Sequence, residues 1–221
     1  MYRVLLVAAV HNELRGLLAN LQAKDNSFTW RQLHIDAVVC GIGAVNAAAV
    51  VAVQLQKFRY DHVWMVGSCG GYSAGKGDVV IATQEINADL GIAQQGTWTS
   101  PSAFPFSIVE NENGTYVNTF PCCAYEIDAK FSFAVHKGIL LSTSCVSGDA
   151  KRATVMEKRF GAIAENMEGA AVAQVCALNG IKFTEVRGVS NVAGERNKEY
   201  WDFPTAWRNT HTLTIHLWEK I

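Results

Sequence analysis

Continuous apolar runs, separated by longer stretches of mixed polarity, are the main pattern along this chain. Six runs have the length and the β-branched content of buried strands, at residues 3–9, 37–41, 62–66, 78–82, 139–146 and 183–189. Because apolar residues follow one another in these runs instead of alternating with polar ones, both faces of each strand should be covered.

Stretches with helical periodicity lie between or after these runs, at residues 13–21, 45–58, 125–136, 150–160, 167–179 and 205–218. Strands that alternate with helices predict an α/β fold, a three-layer α/β/α sandwich around a central, mainly parallel mixed sheet. Segment 93–120 shows no sustained periodicity, so we expect a long loop or insertion there. Since no linker or internal repeat interrupts the pattern, residues 1–221 should form a single domain.

The charge of the chain is nearly balanced, with 19 basic and 20 acidic side chains and no block of one sign. Nucleic acid is therefore not an expected partner. No apolar run approaches the roughly 20 residues that a membrane-spanning helix needs, so we expect a soluble protein without membrane contacts. The six cysteines have spacings unsuited to disulfide or zinc-finger geometry, which indicates reduced thiols in a cytoplasmic protein.

Two glycine-rich segments follow predicted strands and could offer backbone N–H groups to a ligand. Segment 41–46 (GIGAVN) begins like a dinucleotide-binding fingerprint, but Asn46 replaces the third glycine, so a nicotinamide enzyme is disfavoured. Segment 67–71 (GSCGG) predicts a second turn, after a strand that ends at Val66. Neither segment contains the Arg or Lys that a phosphate co-substrate would need, which favours water as a nucleophile unless a distant Arg folds in.

Four motifs occur in an order that resembles the nucleoside phosphorylase and nucleosidase superfamily. They are 8–13 (AAVHNE); 67–71 (GSCGG) with 77–80 (GDVV); 146–149 (VSGD); and 165–170 (ENMEGA) with 186–191 (VRGVSN). The chain is similar to the branch of methylthioadenosine/S-adenosylhomocysteine nucleosidases and, more closely, to futalosine hydrolases, which share a segment like 88–91 (ADLG). The fold implied is nucleoside phosphorylase-like.

The resemblance implies a role for each matched side chain. Glu13 would hold and deprotonate the attacking water, Met167 would pack against the sugar, and Glu168 would accept hydrogen bonds from the ribose hydroxyls. Position alone favours a solvated acid of a first helical turn for Glu13, because such acids are common there, and Glu168 could be an acid paired with an Arg. The other residues expected to bind substrate are Ser68, Gly70, Asn166, Ser190 and Arg196.

Asn191 departs from the pattern of the adenosine-type nucleosidases, which carry Asp at this position. An Asn amide can donate to a 6-oxo group and accept from N7–H, which suits hypoxanthine, whereas a protonated Asp suits adenine. The alternative is an Asn that ends a strand and forms a turn. Asn166 and the pair His11-Asn12 also replace acids of the adenosine-type enzymes, and this places adenosine-type substrates in doubt.

Segment 193–204 brings polar and aromatic residues together before the last helix. A rim of aromatic side chains with one cation would suit the carboxyphenyl group that futalosine bears on its 5′ side. Arg196 is the first candidate for this cation and Arg152 the second, with exposed surface arginines as an equal alternative. Aromatic residues that could either stack on a substrate or belong to the core are Tyr72, Phe104, Phe106 and Trp201.

The function implied by the resemblance is an N-ribosyl hydrolase that cleaves futalosine to hypoxanthine and dehypoxanthine futalosine in menaquinone biosynthesis. No metal or organic cofactor is expected. Family members assemble as dimers or larger rings, so we expect a homo-oligomer. The alternatives are a purine nucleoside phosphorylase, a methylthioadenosine/S-adenosylhomocysteine nucleosidase, and a nucleoside-binding protein without turnover, which would lack the water-activating acid.

Overall fold

The computed structural model describes residues 1–95, 97–101 and 107–221, so that Phe104 and Phe106, two candidate stacking residues, lie outside the described residues. The strands are β1 (Tyr2–Ala8), β2 (Ser27–Trp30), β3 (Leu33–Val39), β4 (His62–Gly71), β5 (Val79–Asn87), β6 (Ile92–Gln94), β7 (Thr97–Thr99), β8 (Val109–Asn111), β9 (Gly114–Tyr116), β10 (Thr119–Pro121), β11 (Val135–Ser142), β12 (Ala164–Asn166) and β13 (Lys182–Val192). The helices are α1 (His11–Asn20), α2 (Ala44–Lys57), α3 (Ala150–Phe160), α4 (Gly169–Asn179) and α5 (Phe203–Trp218).

Strand β1 shows why the sheet has helices on both faces. Its even-numbered residues, such as Val4 and Leu6, pack in one core cluster with apolar side chains of α1 and α5. Its odd-numbered residues Leu5 and Val7 pack in a second cluster with side chains of α2 and α4. Because successive side chains of a strand point to opposite faces, the continuous apolar run buries both faces, as predicted.

Within the described residues, nine strands form the central sheet in the order β10-β5-β11-β12-β4-β1-β3-β2, and β13 pairs with both β4 and β5. Strand β12 also pairs with β4, so that β4, β13, β5, β11 and β12 form a closed ring. The pairs β1–β3, β1–β4, β4–β13, β5–β11 and β11–β12 are parallel. The predicted α/β sandwich with a mainly parallel mixed sheet is confirmed, and the partial closure is an addition to it.

Strand β4 continues through segment 67–71 and does not end at Val66, so the prediction of a glycine turn is wrong. A Cβ atom at residue 67 would lie 2.7 Å from Arg187 Nη1 and 2.9 Å from Glu13 Oε1. The absence of a side chain there lets two large polar groups approach the strand closely.

The predicted helix at 125–136 is also wrong. This segment is irregular until β11 begins at Val135. Its apolar residues Tyr125, Ile127, Phe131 and Phe133 are partly buried against the core cluster of α1 and α5. Most of the residues between them are exposed. The spacing is close to that of an extended chain, with a period of two rather than 3.6.

The described part of segment 93–120 is less irregular than expected. At the beginning of the segment β6 pairs with β7, and further along β8 and β9 form a short hairpin. The segment ends in strand β10, which pairs with β5 at the edge of the central sheet. Three-residue strands carry too few residues for a periodic signal. In the part of the chain that the structure describes, no helix is both long and apolar enough to cross a membrane.

Candidate active site

A cavity of about 650 Å³ lies where β1, β4 and β13 end and where α1 and α4 begin. All nine predicted site residues line it, although they come from distant parts of the chain. They are Glu13, Ser68, Gly70, Asn166, Met167, Glu168, Ser190, Asn191 and Arg196. The structure therefore brings together the residues to which the sequence assigned roles on one ligand.

Glu13 belongs to the first turn of α1, and its carboxylate folds back over the start of that helix. Oε2 accepts hydrogen bonds from the N–H groups of Ala9 at 3.0 Å and Val10 at 3.3 Å. Oε1 accepts from both the N–H and the hydroxyl of Ser68, each at 2.9 Å. The side chain is only 4% exposed, so Glu13 is not the solvated first-turn acid of the alternative interpretation.

His211 of α5 supports Glu13 from behind, where its Nε2 donates to the carbonyl oxygen of Glu13 at 2.7 Å. Burial lowers the pKa of His211, and this hydrogen bond opposes the shift only in part. The ring is therefore neutral near pH 7, and it connects α5 to the first turn of α1 without adding a charge to the site.

Glu168 immediately precedes α4 and is 3% exposed. Its Oε1 accepts from the N–H of Gly43 at 3.0 Å, and its Oε2 faces Nη2 of Arg187 at 3.3 Å. Gly43 has a φ of 95°, a conformation that favours glycine. Gly43 of the segment that resembles a dinucleotide fingerprint thus donates to a carboxylate of this cavity. Glu168 also has the Arg partner of the alternative interpretation.

Arg187 of β13 is a site residue that was not predicted from the sequence. It is 1% exposed; Nε donates to Glu185 at 2.7 Å, and Nη1 donates to the carbonyl oxygen of Ser68 at 3.2 Å. Burial alone would lower the pKa of Arg187, but Glu185, Glu168 and Glu13 raise it above its ordinary value. An Arg within an apolar strand signals such partners, because an unpaired buried charge is too costly.

Glu165 of β12 also lines the cavity and was also missed. It accepts from the N–H and hydroxyl of Ser147, each at 2.8 Å, and from the Tyr72 hydroxyl at 2.7 Å. Burial and the neighbouring Glu165 raise the pKa of Tyr72 above its ordinary value. Tyr72 is absent from the cavity wall, so its role is to hold this carboxylate. Asp149, of the same 146–149 motif, caps α3 through the N–H of Arg152.

Asn191 lies within β13, beside a bulge, and so does not form the turn of the alternative interpretation. The bulge allows the consecutive side chains of Ser190 and Asn191 to face the same cavity. The Ser190 hydroxyl donates to Asn191 Oδ1 at 2.8 Å, and Asn191 Nδ2 donates to the carbonyl oxygen of Val192 at 2.9 Å. The bond to Val192 distinguishes the nitrogen of the amide from its oxygen, because a carbonyl oxygen can only accept.

Asn166 lines the cavity, but its polar atoms are engaged inside the protein. Oδ1 accepts from the N–H groups of Glu168 at 2.9 Å and Gly169 at 2.8 Å, while Nδ2 donates to Glu85. Asn166 therefore holds the chain in front of α4, which is a different role from the direct contact with substrate expected for it.

Aromatic side chains form the outer rim of the cavity, at Trp201, Phe203 and Trp207. The guanidinium of Arg196 is exposed and lies 4.9 Å from the centre of the Trp201 ring. Arg152 lies away from the cavity wall and donates to the carbonyl oxygen of Cys145. Among the residues with a described placement, no group of three or more His, Cys, Asp or Glu side chains is arranged to hold a metal ion.

Comparison with known proteins identifies the class. The sequence model of the phosphorylase superfamily matches residues 28–214, and the chain belongs to this superfamily. It is 32% identical over 183 residues to the futalosine hydrolase of Thermus thermophilus, covering 78% of this chain and 77% of that protein. It is also 32% identical over 166 residues to a 5′-methylthioadenosine/S-adenosylhomocysteine nucleosidase of Bacillus pumilus, covering 73% of this chain and 70% of that protein.

A solved structure agrees with the fold. A nucleosidase of the latter kind from Helicobacter pylori, in complex with an immucillin, matches with a TM-score of 0.80 over 100% of this chain and 99% of that chain, at 17% identity. The expected superfamily membership and the nucleoside phosphorylase-like fold are both confirmed.

Proposed function

We propose that the chain cleaves futalosine, a 6-oxopurine nucleoside, to hypoxanthine and dehypoxanthine futalosine in menaquinone biosynthesis. At a coarser level it is a hydrolase of N-glycosyl compounds, as are its relatives named futalosine hydrolase and nucleosidase. The observation that carries the finer proposal is Asn191, an amide on the cavity wall at a position where the adenosine-type enzymes have a carboxyl group.

The amide of Asn191 has free hydrogen-bonding capacity of the right kind for a 6-oxopurine. One hydrogen of Nδ2 stays with Val192, so the second can be donated to the 6-oxo group. Oδ1 accepts from Ser190 and has a second lone pair for N7–H of the departing base. Because an Asn does not transfer a proton near neutral pH, N7 must be protonated by solvent or by tautomerisation of the purine.

Glu13 and Glu168 supply the remaining steps of the proposed reaction. Glu13 accepts the proton of the attacking water. Its carboxylate is held in position for this step, because it accepts four hydrogen bonds at the cavity wall. Glu168 accepts hydrogen bonds from the ribose hydroxyls, and Met167 packs against the sugar. These carboxylates also stabilise the positive charge that develops on the ribose as the bond to the base breaks.

The charges around the cavity favour water over phosphate. The guanidinium of Arg187 is occupied by Glu185 and Glu168, and therefore offers no unpaired charge to a dianion. Phosphate would also meet the carboxylates of Glu13, Glu165 and Glu168 on the same wall. Repulsion of a doubly charged anion by this wall supports hydrolysis rather than phosphorolysis.

Release of hypoxanthine tests the proposal. The purified protein is incubated with futalosine and with inosine, each with and without inorganic phosphate, and 5′-methylthioadenosine serves as the 6-amino comparison. We expect futalosine to be cleaved at the same rate with and without phosphate, and faster than methylthioadenosine. Cleavage of inosine only in the presence of phosphate would identify a phosphorylase, and preference for methylthioadenosine would identify the adenosine-type activity.

We also propose that the chain forms a homo-oligomer through the start of α2. Ile42, on the cavity wall, is 57% exposed, and Val45 in the first turn of α2 is 84% exposed. Apolar side chains this exposed beside a substrate cavity favour cover by a second subunit. Light scattering should show a dimer or larger assembly for the unmodified protein and a monomer for Val45→Asp; a monomeric unmodified protein would contradict the proposal.

A further inference from the structure

Two glutamates meet behind the cavity wall, beneath the first turn of α4. Glu85 of β5 and Glu185 of β13 are both fully buried. A Cβ atom at residue 169 would lie 2.3 Å from Glu85 Oε1 and 2.4 Å from Glu185 Oε2, so only glycine leaves room for both oxygens. Since both oxygens lie so close to one point, they are less than about 5 Å from each other, with no cation between them in the described contacts.

A hydrogen bond between two carboxyl groups requires a proton on one of them. Oε2 of Glu185 is buried and accepts no hydrogen bond from an N–H or O–H group of the residues that the structure describes, so a proton on Glu85 would satisfy it. Burial and the adjacent Glu185 raise the pKa of Glu85 well above its ordinary value, and Arg187 and Asn166 oppose this shift only in part. The raised pKa favours Glu85 as the member of the pair that keeps the proton at a pH where an ordinary glutamate has lost it.

Glu85 is connected to the backbone in front of the cavity. Its Oε1 accepts from Asn166 Nδ2, and Asn166 Oδ1 accepts from the N–H groups of residues 168 and 169. Its Oε2 accepts from the Ser142 hydroxyl at 2.9 Å, and that hydroxyl accepts from the N–H of Ala170 at 2.7 Å. Glu85 thus anchors the two side chains that hold three successive N–H groups, at residues 168–170.

Glu185 is connected to the carboxylate of Glu168. Its Oε1 accepts from Arg187 Nε at 2.7 Å, and Nη2 of the same guanidinium faces Glu168 Oε2 at 3.3 Å. The two glutamates therefore reach Glu168 by separate routes, one through the backbone and one through its carboxylate.

We propose that Glu85 and Glu185 are positioning residues, a buried acid–carboxylate pair that holds one proton and fixes Glu168 through both the start of α4 and Arg187. The consequence for catalysis rests on the proposed ribose-binding role of Glu168, whereas the existence of the pair does not. Loss of the proton would leave two adjacent buried negative charges, whose repulsion would displace both supports of Glu168.

The other groups that face the pair do not titrate with it. Cys69 of β4 and Cys122, after β10, are thiols near Glu85 and Glu185. Burial raises the pKa of Cys69 to about 12 and raises the pKa of Cys122 further. Arg187 stays charged because its neighbouring carboxylates raise its pKa. None of these three groups therefore accounts for a change in stability near neutral pH.

The variant Glu185→Gln removes the need for a shared proton and keeps the hydrogen bonds of residue 185. The new amide oxygen can accept from Arg187 Nε, and the new NH₂ can donate to Glu85 Oε1 without any shared proton. We expect kcat/KM to stay within about fivefold of the unmodified protein, since the hydrogen bonds are preserved. Glu85→Gln cannot both donate to Glu185 and accept from Asn166, so its kcat/KM should fall by about tenfold or more, mainly in kcat.

Two readouts test the pair without any substrate. Infrared spectra near neutral pH should contain the band of a protonated carboxyl group, and this band should be absent from Glu185→Gln. As a matched control, Glu165→Gln changes another buried acid, one that accepts three hydrogen bonds, and should keep the band. Persistence of the band in Glu185→Gln would overturn the proposal.

The pH dependence of stability is the second readout. Because the folded-state pKa of Glu85 is raised, its contribution to stability is complete below the pKa of an unfolded glutamate and is lost as the pH rises through the folded value. The free energy of unfolding should fall on the alkaline side more for the unmodified protein than for Glu185→Gln. If the free energy of unfolding fell equally with pH in the unmodified protein and in Glu185→Gln, the two glutamates would not share a proton. If Glu85→Gln and Glu185→Gln had the same kcat/KM, the positioning role would be wrong. If the unmodified protein cleaved no nucleoside, only the proposed function would fail.

Discussion

The inner and outer walls of the cavity differ in how firmly their side chains are held. On the inner wall, Glu13, Glu168 and Arg187 are each at most 4% exposed, and each has partners on other elements of the fold. On the outer wall, Arg196 is exposed and is held by a ring contact with Trp201. Under the proposed function, the firmly held inner wall would carry the bond cleavage, whereas the more loosely held outer wall would contact the 5′ substituent.

The largest effect on activity should come from Glu13→Gln. An amide cannot take a proton from water, so kcat should fall by about a thousandfold, the scale of general base catalysis. Binding of the substrate, measured by calorimetry, should change much less, because the ribose and base contacts remain. Cleavage at the unmodified rate would show that the inner wall does not activate water through Glu13.

Arg187→Met should have the largest effect on stability. It leaves the carboxylates of Glu185 and Glu168 buried without their cation, which costs about 3–5 kcal/mol of unfolding free energy. The matched control is Arg152→Met, outside the cavity, which should change the unfolding free energy by no more than about 0.5 kcal/mol. If the two variants had the same unfolding curve in urea, the ion pairs of Arg187 with Glu185 and Glu168 would not stabilise the fold.

Asn191→Asp should shift the choice of base and leave the fold intact. A carboxyl group can donate to N7 and accept from a 6-amino group, so the ratio of kcat/KM for methylthioadenosine to that for futalosine should rise by about tenfold or more. Asn197→Asp, an exposed position near the rim, serves as the control and should leave the ratio unchanged. If the ratio did not change in Asn191→Asp, Asn191 would not take part in recognition of the base.

The smallest effect is expected at the outer wall. Arg196→Gln should raise KM for futalosine by about two- to fivefold, the scale of an exposed ion pair, and leave KM for inosine unchanged. Arg152→Gln is the control and should change neither value. An equal rise in KM for both nucleosides would show that Arg196 does not contact a 5′ carboxylate.

The fold class could be predicted from the sequence because buried parallel strands leave a continuous apolar signal. The predicted helix at 125–136 and the predicted turn at 67–71 were wrong because each sequence pattern fits two structures. Apolar residues between 125 and 133 follow an extended chain, although their spacing also resembles a helical face. The glycines of segment 67–71 indicated a turn, whereas the strand needs glycine at 67 because Arg187 and Glu13 approach it closely. The strand β12 has only three residues, too few for a pattern.

The residues of the inner wall could be predicted from the sequence to unequal degrees. Glu13 and Glu168 belong to motifs whose order resembles a family, so the sequence alone assigns a role to each. Arg187 and Glu165 lie in the same motifs but were not selected, because their partners are distant in the chain. Glu185 lies in the same predicted strand as Arg187, but neither Glu85 nor Glu185 could be matched to its partner from the sequence, since their pairing depends on β13 lying beside β5. Pairing between distant buried charges is a property of the fold.

A crystal structure of the Glu13→Gln variant with intact futalosine would show whether Glu13, Glu168 and Asn191 surround one nucleoside. We expect the ribose hydroxyls to lie within hydrogen-bonding distance of Glu168, and O6 and N7 of hypoxanthine to face Asn191. Residue 13 should lie next to the water on the opposite side of C1′. A nucleoside bound in another cavity, or with its base against Glu168, would contradict it.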